Sequence, residues 1–161
     1  MPGTTLKCMS DDELSPIVVG VDGSAAAAAA LRWAVEQARA LACPLDVISV
    51  WHLEYGLMTE AFPDPDGLSE AAAERAQRKI MDEAAVNVTG VQLREILVEG
   101  EARKLLVEMS HDARFLVVGN RGHGPLAELL LGSVSSYCVH HASCPVVVVK
   151  AGDARGAVSP A

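Results

Sequence analysis

The chain has 161 residues, a common length for one domain, and no stretch suggests a second. Half of the residues are hydrophobic but only 4% are aromatic, so the core must be built from Ala, Val, Leu and Ile. The formal net charge of −8 disfavours nucleic acid and anionic membranes as partners, because like charges repel. No apolar run reaches the roughly 20 residues of a membrane span.

Residues 1–15 are polar and lack the apolar middle of a secretory signal, so we expect a flexible N-terminal lead there. The four cysteines are scattered without a repeated spacing, which favours reduced thiols over a disulfide framework. Together these features predict a cytoplasmic protein.

The first half of the chain alternates strand and helix patterns. The apolar run IVVGV begins at Ile17 and predicts a strand that ends on Asp22. The alanine-rich segment that follows favours a helix capped by Ser24, and its buried face would carry Leu31, Ala34, Val35 and Ala38. LDVISVW, residues 45–51, predicts a second strand, and residues 52–66 a loop. A second helix is predicted from about Leu68 to Asn87, with Ala73, Ala76, Ile80 and Ala84 on its buried side.

The second half continues the alternation. VQLREILVE (91–99) predicts a strand whose mixed polarity suits a sheet edge. A third helix over 102–111, a strand FLVVG ending on Gly119, a short helix over 134–141 and a last strand PVVVVK follow. Nearly unbroken apolar strands separated by helices indicate an α/β fold, in which a parallel sheet has helices on both faces. The ordered domain should span 16–150, followed by a flexible tail over 151–161.

The segment GNRGHGPLAELLLGS, residues 119–133, carries most of the chemical information. It joins a buried strand to a helix, the place where open α/β sheets bind their ligands. Glycines let the backbone approach an anion closely, and successive N–H groups with the helix N-terminus can hold it. On local composition alone, an ordinary flexible loop is an equal alternative.

Rival motifs are absent from the sequence. There is no Gly-Lys pair for a Walker-type phosphate loop and no G-x-G-x-x-G after the first strand. A G-x-S-x-G nucleophile elbow is also missing. A phosphate in this loop would therefore be held by main-chain donors, a serine and a metal ion.

The spacing G-x2-G-x9-G-[S/T] resembles the ATP-binding motif of universal stress proteins, and it falls on Gly119, Gly122, Gly132 and Ser133. The segments IVVGVDGS, LDVISVW, VEGE and LLLGSVSSYCVHHASCPVVVV look like the same family in the same order. The resemblance covers roughly residues 15–150. It implies a Rossmann-like fold of the adenine nucleotide alpha-hydrolase type, with strand order 3-2-1-4-5.

The resemblance also implies roles for individual residues. Asp22 would lie beside the ribose and phosphates and could ligate a phosphate-bound Mg²⁺, while Val50 would contact adenine. Gly119 and Gly122 would line the ribose and phosphate path, and phosphates would be held by Gly132, Ser133 and the Val134 amide. From the residues alone, Asp22 could instead cap the helix near Ser24.

Three loop residues leave questions open. Arg121 either neutralises phosphate charge or points into solvent, and His123 could titrate near a phosphate or lie exposed. Pro125 replaces a smaller residue of the family pattern and would stiffen the loop.

Cys138, His140, His141 and Cys144 form a C-x-H-H-x-x-C pattern. Because the spacing is irregular for structural zinc, we interpret it as a helix that packs on the sheet. In that interpretation Val134, Tyr137, Cys138 and His141 face the sheet.

The expected function is that of an ATP-binding sensor or regulator in stress or growth arrest, with Mg²⁺ accompanying the nucleotide. The family pairs its last strand with a second copy, which implies a homodimer through Val146 to Val149. The alternatives are a slow ATPase or autokinase using Asp22 or His123, a cyclic-AMP-binding protein, or a nucleotide-free interaction module.

Overall fold

A computed structural model describes residues 14–52, 68–86, 88–122 and 131–151. Most of the expected lead and tail, most of the loop over 52–66, and His123 and Pro125 lie outside these residues. The elements follow in the predicted order: β1 (Ile17–Val21), α1 (Ala25–Leu41), β2 (Leu45–Trp51), α2 (Leu68–Ala85), β3 (Leu93–Glu99), α3 (Ala102–Met109), β4 (Phe115–Gly119), α4 (Ser133–His141) and β5 (Val146–Val149). No helix in the described ranges is long and apolar enough to cross a membrane.

The five strands form one parallel sheet in the order β3-β2-β1-β4-β5. The predicted fold class and the edge position of β3 are therefore confirmed. Val19 in β1 pairs with Val47 on one side and Val117 on the other. Because the chain builds outward from β1 to β3 and then crosses to β4, the strand order reverses between β1 and β4. Ligands of open α/β sheets bind at the carboxyl end of this switch point.

The alternation of side chains along the strands divides the core into two layers. One face of the sheet packs against α1 and α2, through residues such as Val19, Val47 and Val117. The opposite face packs against α3 and α4, through Val18 and Leu116 among others. All four α1 residues predicted to be buried are buried: Leu31, Ala34, Val35 and Ala38.

Helix α2 turns close to the predicted face to the sheet, since Ala73, Ile80 and Ala84 are half-buried, but it departs from the prediction at Ala76. Met81 is buried, whereas Ala76 is exposed. Gln77 Nε2 donates a hydrogen bond of 2.6 Å to Ser49 Oγ, which in turn donates to the carbonyl of Val21. Because Ser49 is fully buried in β2, this bond draws the Gln77 side of the helix inward.

Helix α4 also departs from its prediction at one position. Cys138 and Ser135 are buried, but His141 is exposed and stacks on Tyr137 with ring centroids 3.9 Å apart. Burial raises the pKa of the Cys138 thiol from 9.0 to about 11, with a further contribution from the nearby Cys144. The described residues contain no group of three or more His, Cys, Asp or Glu side chains arranged to hold a metal ion.

Candidate nucleotide-binding site at the carboxyl edge of the sheet

Asp22 follows β1 directly, and its carboxylate is oriented by the backbone. Oδ1 accepts a 2.9 Å hydrogen bond from the N–H of Ser24. Ser24 itself caps α1, because its Oγ accepts a 3.1 Å bond from the N–H of Ala27. The predicted cap is therefore confirmed, and the capping side chain is Ser24 rather than Asp22.

Gly122 brings the glycine-rich segment against this carboxylate. A Cβ atom built on Gly122 would lie 2.5 Å from Asp22 Oδ2, so the backbone and the acid are in direct contact. Ser24 Oγ also lies 3.4 Å from the carbonyl oxygen of Arg121. The structure thus brings together the end of β1 and the backbone that follows β4.

Gly119 faces α1 rather than the edge of the sheet. A Cβ at this position would lie 2.8 Å from the carbonyl carbon of Ala26 and 2.9 Å from the nitrogen of Ala27. Real Cβ atoms essentially never approach backbone so closely. Gly119 is therefore required for packing β4 against the first turn of α1, whatever it contributes to ligand binding.

The N-terminus of α4 lies beside the same segment. Gly132 is its N-cap and offers no side-chain cap, and its N–H donates a 2.7 Å bond to the carbonyl of Asn120. The first bond within the helix runs from Ser136 N–H to Gly132 C=O. The amides of Ser133, Val134 and Ser135 therefore precede the helical hydrogen-bond pattern.

Helix α3 begins at the same edge of the sheet, but its N-cap is an acidic residue. Its N-cap, Glu101, accepts hydrogen bonds from Lys104 and Arg103, which lower the pKa of the Glu101 carboxyl. A carboxylate at a helix N-terminus already uses the favourable field there. The N-terminus of α4 is thus better suited to an external anion than that of α3.

Val50 lies one strand away from Asp22. The register of β1 with β2 pairs Val21 with Ser49, and the next step along both strands sets Asp22 beside Val50. Val50 is half-buried and packs with the apolar cluster under α3 and α4. An apolar side chain beside a carboxylate offers one surface to a base and another to a sugar or phosphate.

Arg121 is half-buried, and its Nε atom is enclosed without a hydrogen-bond partner among the described residues. Buried N–H donors normally have an acceptor. The Ser133 side chain, by contrast, is exposed at the start of α4. Arg121 follows β4 and Ser133 begins α4, so the two residues lie at the two ends of the glycine-rich segment, which meet at this edge of the sheet.

Two polar residues of this region were not singled out by the sequence analysis. Ser135 Oγ lies 3.1 Å from the carbonyl oxygens of both Asn120 and Gly132. Ser49 links β1 to α2 through the bonds described above. A serine in the first turn of a helix often bonds backward to a carbonyl, but its long-range partner is set only by the fold.

Comparison with known proteins agrees with this architecture. The sequence profile of the universal stress protein family matches residues 13–150. Universal stress protein Rv2624c of Mycobacterium tuberculosis (strain H37Rv) is 36% identical over 141 residues, which cover 85% of this chain and 48% of the relative. The chain therefore belongs to the universal stress protein family, and it spans about half the length of the curated relatives it matches.

Solved structures show the same fold. UspA from Lactobacillus plantarum superposes with a TM-score of 0.66 at 26% identity, covering 84% of this chain and 97% of that one. A universal stress protein crystallised in complex with cAMP gives a TM-score of 0.63 at 25% identity, covering 84% and 96% of the two chains.

Proposed function

We propose that this protein binds an adenine nucleotide, ATP with Mg²⁺, at the carboxyl edge of β1, β2 and β4. The observation that carries the proposal is the contact of Gly122 with the Asp22 carboxylate beside the uncapped N-terminus of α4. The complex of a related universal stress protein with cAMP supports the choice of an adenine nucleotide.

The chemistry of the residues suits a phosphate chain. The amides of Ser133 and Val134 and the Ser133 hydroxyl can donate to phosphate oxygens at the positive end of α4. The positive charge of Arg121, which lies in the same segment, would also neutralise part of the phosphate charge. Asp22 would otherwise repel the phosphates, so we assign Mg²⁺ to the space between them.

Val50 then faces the adenine, and the backbone of Gly119 to Gly122 follows the ribose and phosphates. We propose that the bound nucleotide makes the protein a sensor or regulator in stress or growth arrest. This role requires the cytoplasm, where ATP is abundant. Cyclic AMP is the second candidate ligand, because a family member was crystallised with it.

The first experiment is mass spectrometry of nucleotide released by denaturing the purified protein, followed by calorimetry with ATP and with cAMP, each with and without Mg²⁺. We expect ATP whose binding weakens when Mg²⁺ is removed. Gly122→Ala should lose the nucleotide, because the new methyl would displace the Asp22 carboxylate.

Gly90→Ala is the matched control. Gly90 lies at the opposite end of the sheet with φ +72°, so alanine there strains the backbone without touching the site. It should lower stability and leave the nucleotide affinity unchanged. Wild-type protein that carries and binds neither ATP nor cAMP would overturn the proposal in favour of a nucleotide-free interaction module.

We also propose a homodimer through β5. Leu116 N–H donates to Pro145 C=O, and Asn120 N–H donates to Val149 C=O. The backbone groups of alternate β5 residues therefore face β4, and those of Val146 and Val148 face away from it. An apolar edge with outward backbone groups is a template for pairing with a second copy.

Val148→Pro tests the dimer, because it removes an outward N–H and leaves the bonds to β4 in place. Light scattering after size exclusion should show a dimer for the wild type and a monomer for the variant. A monomeric wild type would contradict the proposed pairing.

A further inference from the structure

Ser135 is the third residue of α4 and is only 2% exposed. Its Oγ lies 3.1 Å from the carbonyl oxygen of Asn120 and 3.1 Å from that of Gly132. A serine hydroxyl has one proton to donate, so it shares this proton between the two carbonyls. One carbonyl belongs to its own helix turn, and the other lies 15 positions earlier in the chain.

The two carbonyls belong to the two ends of the segment between β4 and α4. Gly132 N–H also donates to Asn120 C=O at 2.7 Å, which ties the ends together directly. Asn120 is fixed to the sheet through its own N–H, which donates to Val149 C=O at 2.7 Å. We refer to Asn120, Gly132 and Ser135 as the loop clasp.

The loop clasp sets the spacing between Gly122, which contacts Asp22, and the N-terminus of α4. A Cβ built on Gly132 would lie 3.5 Å from Arg121 Cα and 3.8 Å from the nitrogen of Gly122. Gly122 in turn contacts Asp22. The position of the first amides of α4 relative to Gly122, and through Gly122 to the Asp22 carboxylate, therefore depends on the bonds within the clasp.

We propose that Ser135 is a positioning residue for phosphate recognition: its buried hydroxyl holds the N-terminus of α4 at the distance from Asp22 that a nucleotide's phosphates require. The inference rests on the proposed function and adds a residue that need not touch the ligand. Removing the hydroxyl leaves Asn120 C=O with only the Gly132 amide, so the ends of the segment become less tightly fixed.

Ser110 provides a matched control for the loss of a buried hydroxyl. It is 0% exposed, and its Oγ donates to the carbonyl of Val107, three residues back, at 3.1 Å. Ser135 makes the same local bond to Gly132 at the same length, and differs by its additional bond to Asn120. Ser110→Ala therefore reports the stability cost that the two positions share.

The test measures dissociation constants of Mg-ATP and of adenosine by calorimetry for wild type, Ser135→Ala, Ser135→Thr and Ser110→Ala. Ser135→Ala should weaken Mg-ATP by about tenfold, the effect of one hydrogen bond, and leave adenosine unchanged because it lacks phosphates. Ser135→Thr, which keeps the hydroxyl, should restore most of the Mg-ATP affinity. Ser110→Ala should bind both ligands as the wild type does.

Hydrogen exchange of the Gly132 amide supplies a readout that needs no ligand, and it should be faster in Ser135→Ala than in Ser110→Ala. Wild-type protein that does not bind Mg-ATP would overturn this inference, and the proposed function falls with it if cAMP also fails to bind. Normal wild-type binding with equal Mg-ATP affinity in Ser135→Ala, or an equal loss for adenosine, would overturn the inference alone.

Discussion

The helices α1 and α4 both begin at the carboxyl edge of the sheet, one on each face, but their N-termini are built differently. The first turn of α1 is closed by its own side chain, because Ser24 Oγ accepts from Ala27 N–H. Helix α4 starts from Gly132, which has no side chain to offer its amides. The side-chain cap stabilises the N-terminus of α1, whereas the first amides of α4 have no side-chain acceptor and can donate to an anion.

The surroundings of the two helix ends reinforce this division. Gly119 packs against the backbone of α1 at Ala26 and Ala27, which leaves no space for a side chain on that side of β4. The α4 end lies near Gly122, whose neighbour is the Asp22 carboxylate. Two glycines of one sequence motif thus have different neighbours, since Gly119 packs on the backbone of α1 and Gly122 contacts the Asp22 carboxylate.

The largest loss of stability is expected from Gly119→Ala, which disrupts the packing of β4 against the first turn of α1. Its methyl would lie within 2.9 Å of backbone atoms of α1, which cannot move without shifting the helix. We expect a loss of about 2–4 kcal/mol in the free energy of unfolding, measured by chemical denaturation. Gly20→Ala, whose methyl would meet only the flexible end of Leu106, should cost clearly less. Equal losses would contradict the packing role of Gly119.

Ser24→Ala removes the side-chain cap of α1, so that α1 and α4 would both begin without one. Loss of the cap should lower the free energy of unfolding by about 1 kcal/mol, as measured by thermal or urea denaturation. Ser24→Thr keeps a hydroxyl and should recover most of it. A Ser24→Ala protein as stable as the wild type would show that the cap bond contributes nothing.

Raising the pH should lower the free energy of unfolding, because the Cys138 thiol in α4 is buried. Its pKa is raised from 9.0 to about 11 in the folded state, so the unfolded thiol ionises first. The stability that comes from keeping this thiol neutral is fully present below pH 9 and is lost as the pH rises towards 11. Urea denaturation near pH 10 should show a loss of roughly 1 kcal/mol from this group. In Cys138→Ala this part of the pH dependence should disappear, and its persistence there would assign it to another group.

The smallest change in stability is expected from Gly132→Ser, which gives α4 the type of cap that α1 has. The backbone at Gly132 (φ −73°, ψ 171°) accepts serine without strain. Stability should rise by a few tenths of a kcal/mol, while Mg-ATP affinity should fall several-fold because the cap competes for the amides.

Gly132→Ala separates the added methyl from the added hydroxyl, since its Cβ would have only ordinary contacts of 3.5 Å or more. Its Mg-ATP affinity should lie between those of the wild type and Gly132→Ser. Unchanged affinity in Gly132→Ser would show that the amides of α4 do not hold the phosphates.

Much of the architecture could be predicted from local patterns. Strands β2 and β4 have the predicted bounds, because continuous β-branched and apolar runs indicate buried parallel strands. The α1 cap and buried face also follow from local rules. In α2, the exposure of Ala76 and the inward position of Gln77 were not predicted, because the hydrogen bond from Gln77 to Ser49 joins elements that are distant in sequence. The outward orientation of His141 was missed because it stacks on Tyr137 instead of the sheet.

The sequence by itself determined the order of the elements, the position of the glycine-rich segment after a buried strand, and the family to which the chain belongs. Only the tertiary structure decided that Gly119 faces α1, that Gly122 contacts Asp22, and that Ser135 reaches Asn120. The physical reason is that these contacts depend on strand order and register. Ser24 and Arg121, for example, are 97 positions apart in the chain, and they meet because β1 and β4 are neighbours in the sheet.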